Sequence, residues 1–464
     1  MFTKKNSVKT GLNIIIVGYG KVGETLVEQL STEGHAITVI DTNARKVQSV
    51  VNAYDVMGVV GNGASFSVQT EASIEEADLL IAVTGSDELN LLCCIIAKQV
   101  GECAAIARVR TPDYSKESGY LKEQLGLAMI INPELEAANE IARILSLPTA
   151  LEVTTFAHGQ AELVKYKIKE ENVLDGMTAA ELSKNFSNIL ICAVERAGEI
   201  AIPSGDYQMA AGDVISFVTS RNVAKTFLEK IGTASNRVKN ALIIGGGKVG
   251  YYLAKQLLAM GLDVKIVEID RERCEQLSTL LPNAIIINGN GSDQELLKEE
   301  DCEHMESFIA LTGLDEENVL LTLYARQNSK AKVITKVNRS NFKSVISQLD
   351  LGSVIYPRYI TSEAIIAYVR AKKNSMNSNI ETLYHMFDYR VEAIEFLVEN
   401  ESAVTDTPLM NLPLKKDLLI SFISRNGKII IPSGQECIKV GDTVMIVTTH
   451  TGFNNIQDIL HKRG

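Results

Sequence analysis

The sequence contains no tryptophan, no Cys-x-x-Cys pair, no surplus of positive charge, and no apolar run near the roughly 18 to 20 residues of a membrane span. The missing tryptophan excludes nothing by itself. The other absences do. A formal net charge of -11 opposes condensation onto nucleic acid, whose binders present a basic face to phosphates, so no nucleic-acid partner is expected. Seven cysteines (Cys93, Cys94, Cys103, Cys192, Cys274, Cys302 and Cys437), an odd number without metal or redox spacing, read as buried thiols in a reducing compartment. The six histidines share no metal-ligand spacing such as H-E-x-x-H and occupy no matching positions in the two halves of the chain. There is no P-loop and no G-x-S-x-G nucleophile elbow. The basic residues at the start precede an apolar run that stops at Gly18 with no A-x-A-like site after it, which speaks against a signal peptide and for a cytoplasmic protein.

What is present is an ordinary globular composition, 46% hydrophobic and 22% charged, spread over 464 residues. That length predicts three to four domains. The chain is also duplicated. LNIIIVGYGKVGETLVEQLSTEGHAITVID, from Leu12 to Asp41, answers NALIIGGGKVGYYLAKQLLAMGLDVKIVEID, from Asn240 to Asp270. VVGNGAS answers IINGNGS, IAVTGSDELN answers IALTGLDEEN, and AIARVR answers VITKVN. Later, EIAIPSGDYQMAAGDVISFVTS, from Glu199 to Ser220, answers KIIIPSGQECIKVGDTVMIVTT, from Lys428 to Thr449. Each half is therefore itself bipartite.

Short Ile/Val runs alternating with segments of helical period predict parallel βαβ units at the start of each half. The smaller second parts show β-type alternation with P-S-G and G-D turns, which predicts small α+β modules. The expected fold class is α/β: two tandem Rossmann-like doubly wound parallel-sheet domains, 12–132 and 238–356, each followed by a small α+β domain, 151–232 and 381–464. Connector helices are expected at 133–150 and 357–380, each opening with proline and carrying an apolar stripe, used either on its own domain or on another copy of the domain.

Gly18-Tyr19-Gly20-Lys21-Val22-Gly23 follows an apolar strand and opens a helix, the context that the dinucleotide fingerprint requires; Gly245-Gly246-Gly247-Lys248-Val249-Gly250 repeats it. The first glycine permits the tight turn, the second lets backbone reach a pyrophosphate, the third allows close helix-on-sheet packing, and the helix amino terminus offers N–H groups to phosphates. Asp41 lies 18 residues past Gly23, and Glu268 lies 18 past Gly250. Such carboxylates accept from ribose hydroxyls and repel a 2′-phosphate, so NADP is disfavoured; the alternative is that they cap the next helix. An adenosine ribose is common to NAD(H), ATP and ADP, and the acids do not choose among them. Asn62 and Asn290, in Gly-rich turns, and Thr84-Gly85 and Thr312-Gly313, after the fourth strand, line the carboxyl edge of each sheet, as ligand neighbours or as turn chemistry. Arg108 and Lys336 end the fifth strands, as phosphate-directed cations or as exposed ion pairs. No substrate domain carrying a proton donor or acceptor for hydride transfer is recognisable.

Together with D-T-N after the second strand, G-N-G-A-S, V-T-x-S-D-E-x-N and I-A-R-V-R-x-P-D-Y, this motif set over residues 12 to 460 resembles the family of Trk potassium-uptake regulatory proteins, built from tandem RCK (regulator of potassium conductance) domains. The resemblance implies a non-enzymatic cytosolic protein, peripheral on the inner face of the membrane. It would assemble as a homo-oligomeric, tetrameric ring on a TrkH-like potassium channel or transporter subunit. It further implies NAD(H) binding, with ATP or ADP at the same sites: Gly18 to Val22 (Gly18, Tyr19, Gly20, Lys21, Val22), Asp41, Asn62, Thr84, Gly85 and Arg108, then Gly245 to Val249 (Gly245, Gly246, Gly247, Lys248, Val249), Glu268, Asn290, Thr312, Gly313 and Lys336. Glu268 and Lys336 depart from the Asp and Arg of the first half, so the two sites need not share a ligand. Two other classes stay open: an NAD-dependent oxidoreductase with a substrate site between domains, and a regulator of a different cation transporter.

Overall fold

Asn13-Ile14-Ile15-Ile16-Val17 is almost continuously apolar, the pattern of a strand covered on both faces, and in the computed structural model it forms β1 (Asn13–Val17), with Ile14 to Val17 no more than 2% exposed. The structure describes residues 11–461 except 148, 221–222, 233–237, 339–342, 347, 350, 374–379 and 388. Parts of both expected connector segments (148; 374–379) and the last three residues of the second small domain therefore lie outside the described residues. Around β1 are β2 (Ala36–Asp41), β3 (Met57–Val60), β4 (Leu79–Ala82), β5 (Ala104–Arg108) and β6 (Met129–Ile131), all parallel in the order β3-β2-β1-β4-β5-β6. That is the doubly wound order whose switch point lies between β1 and β4.

An antiparallel sheet follows, made of β7 (Glu152–Phe156), β8 (Ala161–Lys167), β9 (Ile189–Arg196), β10 (Glu199–Ala201) and β11 (Val214–Ser220), in the order β10-β9-β11-β8-β7. Both patterns then recur. β12 (Asn240–Ile244), β13 (Asp263–Glu268), β14 (Ile285–Asn288), β15 (Ser307–Ala310), β16 (Lys332–Lys336) and β17 (Ser353–Ile355) form a parallel sheet in the order β14-β13-β12-β15-β16-β17. β18 (Ile380–Met386), β19 (Val391–Leu397), β20 (Leu418–Arg425), β21 (Lys428–Ile430) and β22 (Thr443–Thr448) form the second antiparallel sheet, β18-β19-β22-β20-β21. The α/β fold of two Rossmann-like sheets, each followed by a small antiparallel one, is thus what the chain adopts.

The chain divides into two compact units, Met1–Ala137 with Tyr356–Ile366, and Ala138–Ile355 with Ala367–Gly464. Unit one holds the first parallel sheet. Its core runs from Ile15, Val17 and Leu80 to Cys93, Cys94 and Ala105. Unit two holds the second parallel sheet and both small sheets. The helix Pro133–Ser146 contributes residues from Ala138 onward to unit two, where Asn139 accepts a hydrogen bond from Gln256 on the helix Lys248–Ala259 at 2.6 Å. This connector helix thus meets the first helix of the other half's Rossmann domain through a polar contact.

Also in unit two, the small sheets share one core: Phe156, Leu163, Cys192 and Val218 of the first pack with Met386, Phe422, Met445 and Val447 of the second. Glu395 on β19 accepts from the Ala157 amide at 2.7 Å within this contact. Six of the seven cysteines are buried and Cys437 is half-buried. Burial pushes the thiols of Cys93 and Cys192 up to about 12 and that of Cys302 up to about 11, so they stay protonated and inert.

Candidate functional site

At the carboxyl edge of each parallel sheet the chain turns from strand into helix through the glycine motif, and the three glycines meet different demands. Gly18 has φ +99° and Gly245 φ +109°, a left-handed conformation that side chains resist. A Cβ on Gly23 would stand 2.1 Å from the Gly18 carbonyl oxygen, and one on Gly250 2.3 Å from that of Gly245, so the third glycine lets the helix lie against the turn. The middle glycines differ. A Cβ on Gly20 or Gly247 would meet nothing within 4 Å, and their φ values of -98° and -62° are open to any residue. Gly85 and Gly313, beyond the fourth strands, likewise face open space. The folded chain gives no reason for glycine at these four positions; a ligand pressed against the backbone would.

The helices Lys21–Thr32 and Lys248–Ala259 begin here, and neither amino terminus has a side-chain cap. Lys21, Val22, Lys248 and Val249 form their first turns. Uncapped first-turn N–H groups with the positive end of the helix dipole are a ready anion site.

The two acids occupy matching places. Asp41 accepts from the Tyr19 amide at 2.8 Å through one oxygen and from the Asn43 amide at 2.8 Å through the other. Glu268 does the same with the Gly246 amide at 2.7 Å and the Asp270 amide at 2.9 Å. Each carboxylate thus anchors its glycine loop to the end of the second strand. Neither caps the next helix: Asn43 caps Ala44–Ala53 and Asp270 caps Arg271–Leu280. The extra methylene of Glu268 coincides with a smaller loop residue, because a Cβ on Gly246 would lie 2.5 Å from Leu277 and 3.2 Å from Glu268 itself. Arg273 closes over this second loop, donating to the Gly246 carbonyl at 2.8 Å.

Asn62 and Asn290 serve their own turns, accepting from the Ala64 and Ser292 amides at 3.0 Å each, while their exposed loops border the site. Thr84 and Thr312 are fixed by residues that motif reading passed over. Asn90, fully buried, accepts from the Thr84 amide at 2.8 Å and hydroxyl at 2.7 Å and donates to the Arg108 carbonyl at 2.9 Å. Asn318 repeats this with the Thr312 amide at 2.8 Å and the Lys336 carbonyl at 3.0 Å. Asp87 takes the Arg110 and Thr111 amides at 2.9 and 2.7 Å, and Asp315 the Asn338 amide at 2.9 Å. These Asp and Asn residues match within the repeated T-G-x-D-E-x-N segment, and that matching was the available signal.

Arg108 donates to the Thr84 carbonyl, and Lys336 to the Leu311 carbonyl at 2.8 Å. Burial, with a smaller contribution from Arg110, pulls the Arg108 guanidinium down to about 10, and its Nε is buried with no partner among the described residues. A cation held in this way gains from a nearby anion. Each edge thus gathers a glycine loop, an uncapped helix start, an acid, two small residues and a cation. Among the described residues no helix is long and apolar enough to cross a membrane, and no group of three or more His, Cys, Asp or Glu side chains could hold a metal.

Residues 14–133 and 241–357 match the TrkA-N domain family, and residues 163–232 and 393–461 the TrkA-C domain family. A Trk system potassium uptake protein TrkA homolog of Archaeoglobus fulgidus is 32% identical over 449 residues, covering 97% of this chain and all of the relative. The Trk system potassium uptake protein TrkA of Haemophilus influenzae is 30% identical, with 94% and 95% covered. Among solved structures, a GsuK channel bound to NAD superposes with a TM-score of 0.62 at 15% identity, over 96% of this chain and 77% of that one. The GsuK RCK domain does so with a TM-score of 0.63, over 96% and 93%. At those identities the structural likeness speaks for the fold alone, whereas both domain families recur in register and the sequence relatives run the full length. The chain belongs to the TrkA family of Trk system potassium uptake proteins.

Proposed function

We propose that this protein is a nucleotide-sensing regulatory subunit of a Trk-type potassium uptake system, with one adenine-nucleotide site on each parallel sheet. The observation that carries this reading is the set of four glycines, Gly20, Gly85, Gly247 and Gly313, at positions where the fold asks for none, each beside a carboxylate-anchored loop. In the reading, the first site comprises Gly18 to Val22, Asp41, Asn62, Thr84, Gly85 and Arg108, and the second Gly245 to Val249, Glu268, Asn290, Thr312, Gly313 and Lys336. The ligand is NAD(H), with ATP or ADP as competitors for the same loops. The helix starts take the phosphates, the acids exchange a backbone N–H partner for the ribose hydroxyls, and Arg108 and Lys336 face the added negative charge. The solved GsuK structures described as bound to NAD and to ADP support this choice by analogy of fold.

The protein itself carries out no chemical step. It acts by binding nucleotide better in one assembly state than in another; about 1.4 kcal/mol of differential binding shifts a two-state population tenfold. The partner is a TrkH-like potassium-conducting membrane subunit, against whose cytoplasmic face a tetrameric ring of these chains sits. The names of the full-length relatives support the potassium-uptake setting.

The test is calorimetric titration of the purified chain with NADH, NAD, ATP, ADP and NADPH, alongside Asp41→Ala and Glu268→Ala. Saturable binding, poor for NADPH and lowered about tenfold or more at one site by each variant, is expected. Absence of binding by all five nucleotides would remove the regulator's input and the proposal with it.

A further inference from the structure

Matching positions of the two halves meet where the small sheets of unit two share their core, yet the two ends of that contact are unequal. Lys165 on β8 pairs across the strands with Glu152 on β7; 230 residues later the same cross-strand places on β19 and β18 hold Glu395 and Thr382. At the first end the Lys165 ammonium lies 3.4 Å from Glu152 and 4.6 Å from the centre of the Phe387 ring, an ion pair with a cation–π contact. At the second end the residue matching Phe387 is Ala157, also 230 residues away. Glu395 accepts from the Ala157 amide at 2.7 Å and from the Thr382 hydroxyl at 2.8 Å. This end has lost an ammonium and a ring and gained a carboxylate.

A cavity of about 640 Å³ opens there, lined by Glu395, Glu381, Thr155, Phe156, His158 and Thr382, with no lysine or arginine in its wall. Glu395 is only 2% exposed, and each of its oxygens keeps a lone pair beyond the bond it accepts. Burial lifts its carboxyl above the ordinary glutamate value; Glu381 adds to this, against the pull of the Thr382 hydroxyl, the Ala157 amide and His158.

The duplication supplies a control. The first half builds the same sheet with Lys165 and Leu151 where the second has Glu395 and Glu381. The two acids are therefore not required by the fold. They face one cavity at a cost that a cation would relieve.

We propose that this cavity binds a small aliphatic diammonium ion, one ammonium against Glu395 and the other at Glu381, apart from both glycine loops. The first half shows the chemistry within the chain, where the carboxylate of Glu152 holds the alkyl ammonium of Lys165. The Thr155 and Thr382 hydroxyls are acceptors for the remaining ammonium hydrogens, and Phe156 in the wall suits the methylenes. A bare metal ion fits less well, since among the described residues no group of three or more His, Cys, Asp or Glu side chains could hold one. The site does not depend on the nucleotide-sensing reading and stands if that reading fails.

The experiment titrates the full-length chain with putrescine by calorimetry at constant ionic strength, for wild type, Glu381→Gln and Glu395→Gln. Glu381 is exposed, so its replacement leaves the fold alone, and glutamine at 395 keeps an oxygen for the Ala157 amide. Expected are a severalfold loss of putrescine affinity in Glu381→Gln, a loss of about tenfold or more in Glu395→Gln, and an unchanged thermal response to NADH in both. Butylamine should bind wild type severalfold more weakly than putrescine and should not distinguish wild type from Glu381→Gln. At about pH 5, just above the ordinary glutamate value, binding should release protons, read from the dependence of the heat on buffer ionisation, and the release should vanish in Glu395→Gln. Putrescine affinity equal in all three proteins would overturn the proposal, as would no binding at millimolar concentration. Displacement of putrescine by potassium chloride, but not by tetramethylammonium chloride at the same ionic strength, would overturn the assignment to an organic cation.

Discussion

Gly20, the N-cap, and Gly23, in the first turn of the helix, lie three residues apart, yet replacing them should have opposite consequences. A serine at Gly20 would face open space and would sit at a helix N-cap, where serine is at least as good as glycine. Gly20→Ser should therefore leave unfolding free energy within about 0.5 kcal/mol of wild type, while its side chain intrudes where phosphates are proposed to lie and weakens NADH binding about tenfold or more. Gly23→Ala would drive a methyl to 2.1 Å from a backbone oxygen and should cost about 1 to 3 kcal/mol in a denaturant titration. If Gly20→Ser keeps full NADH affinity, the open space is not the ligand's. The glycines and acids were legible as motif, because their spacing is fixed by the turn. The glycines' division of labour was legible from the same motif; the atoms that enforce it, the Val83–Thr84 backbone behind Gly18 and the Gly18 carbonyl behind Gly23, were not. Asn90 and Asn318 stood in the repeated segment, but that each bridges two strand ends is a long-range contact the repeat alone does not reveal.

Within each small sheet one arginine on a long strand clasps the aspartate of the G-D turn. Arg196 meets Asp213 through two bonds of 2.7 Å, and Arg425 meets Asp442 through two of 2.8 Å. The turn signal itself was readable; the strand arginine that completes it, 17 residues earlier in both halves, was readable only as a recurring pair. Burial favours the neutral form of Asp213, but hydrogen bonds from Arg196 and the Ala210 amide outweigh it and hold the carboxyl below its ordinary value. A depressed folded pKa contributes stability that is present above the unfolded value, near 4, and is lost as pH falls through the folded one. Asp213→Asn should cost about 1 to 3 kcal/mol near neutrality. The gap to wild type should narrow as pH drops from about 4 toward 2, followed by denaturant midpoints across that range. A gap independent of pH would mean that the charge of Asp213 contributes nothing. A different property of these sheets was invisible in the sequence: their shared core. Phe422 is fully buried among residues of both, so Phe422→Ala should cost about 3 to 5 kcal/mol and loosen the two small domains together. Amide exchange that accelerates in only one of the two sheets would refute that coupling.

The two proposed nucleotide sites fall in different compact units, the Gly18 loop in unit one and the Gly245 loop in unit two. Binding confined to the folded state stabilises whatever must unfold to lose the site, by about 2.7 kcal/mol when free ligand is a hundred times its dissociation constant. NADH should therefore raise the unfolding temperature of both units. Asp41→Ala should cancel the gain in unit one only, and Glu268→Ala the gain in unit two only, read by hydrogen exchange on peptides from β1 and β12 during heating. A single acid whose loss cancels protection in both units would show that occupancy of one site is a condition for the other. That result would replace two independent sensors with one cooperative switch. Loss of protection in neither variant would leave the carboxylates as loop anchors, the role in which they already hold the Tyr19 and Gly246 amides. The departures between the halves favour independence: a glutamate in place of aspartate, a lysine in place of arginine, and an arginine, Arg273, bonded to the second loop at Gly246. Sites that differ in this way, each within its own folding unit, can report two nucleotides or two concentration ranges of one, which a duplicated pair of identical sites could not.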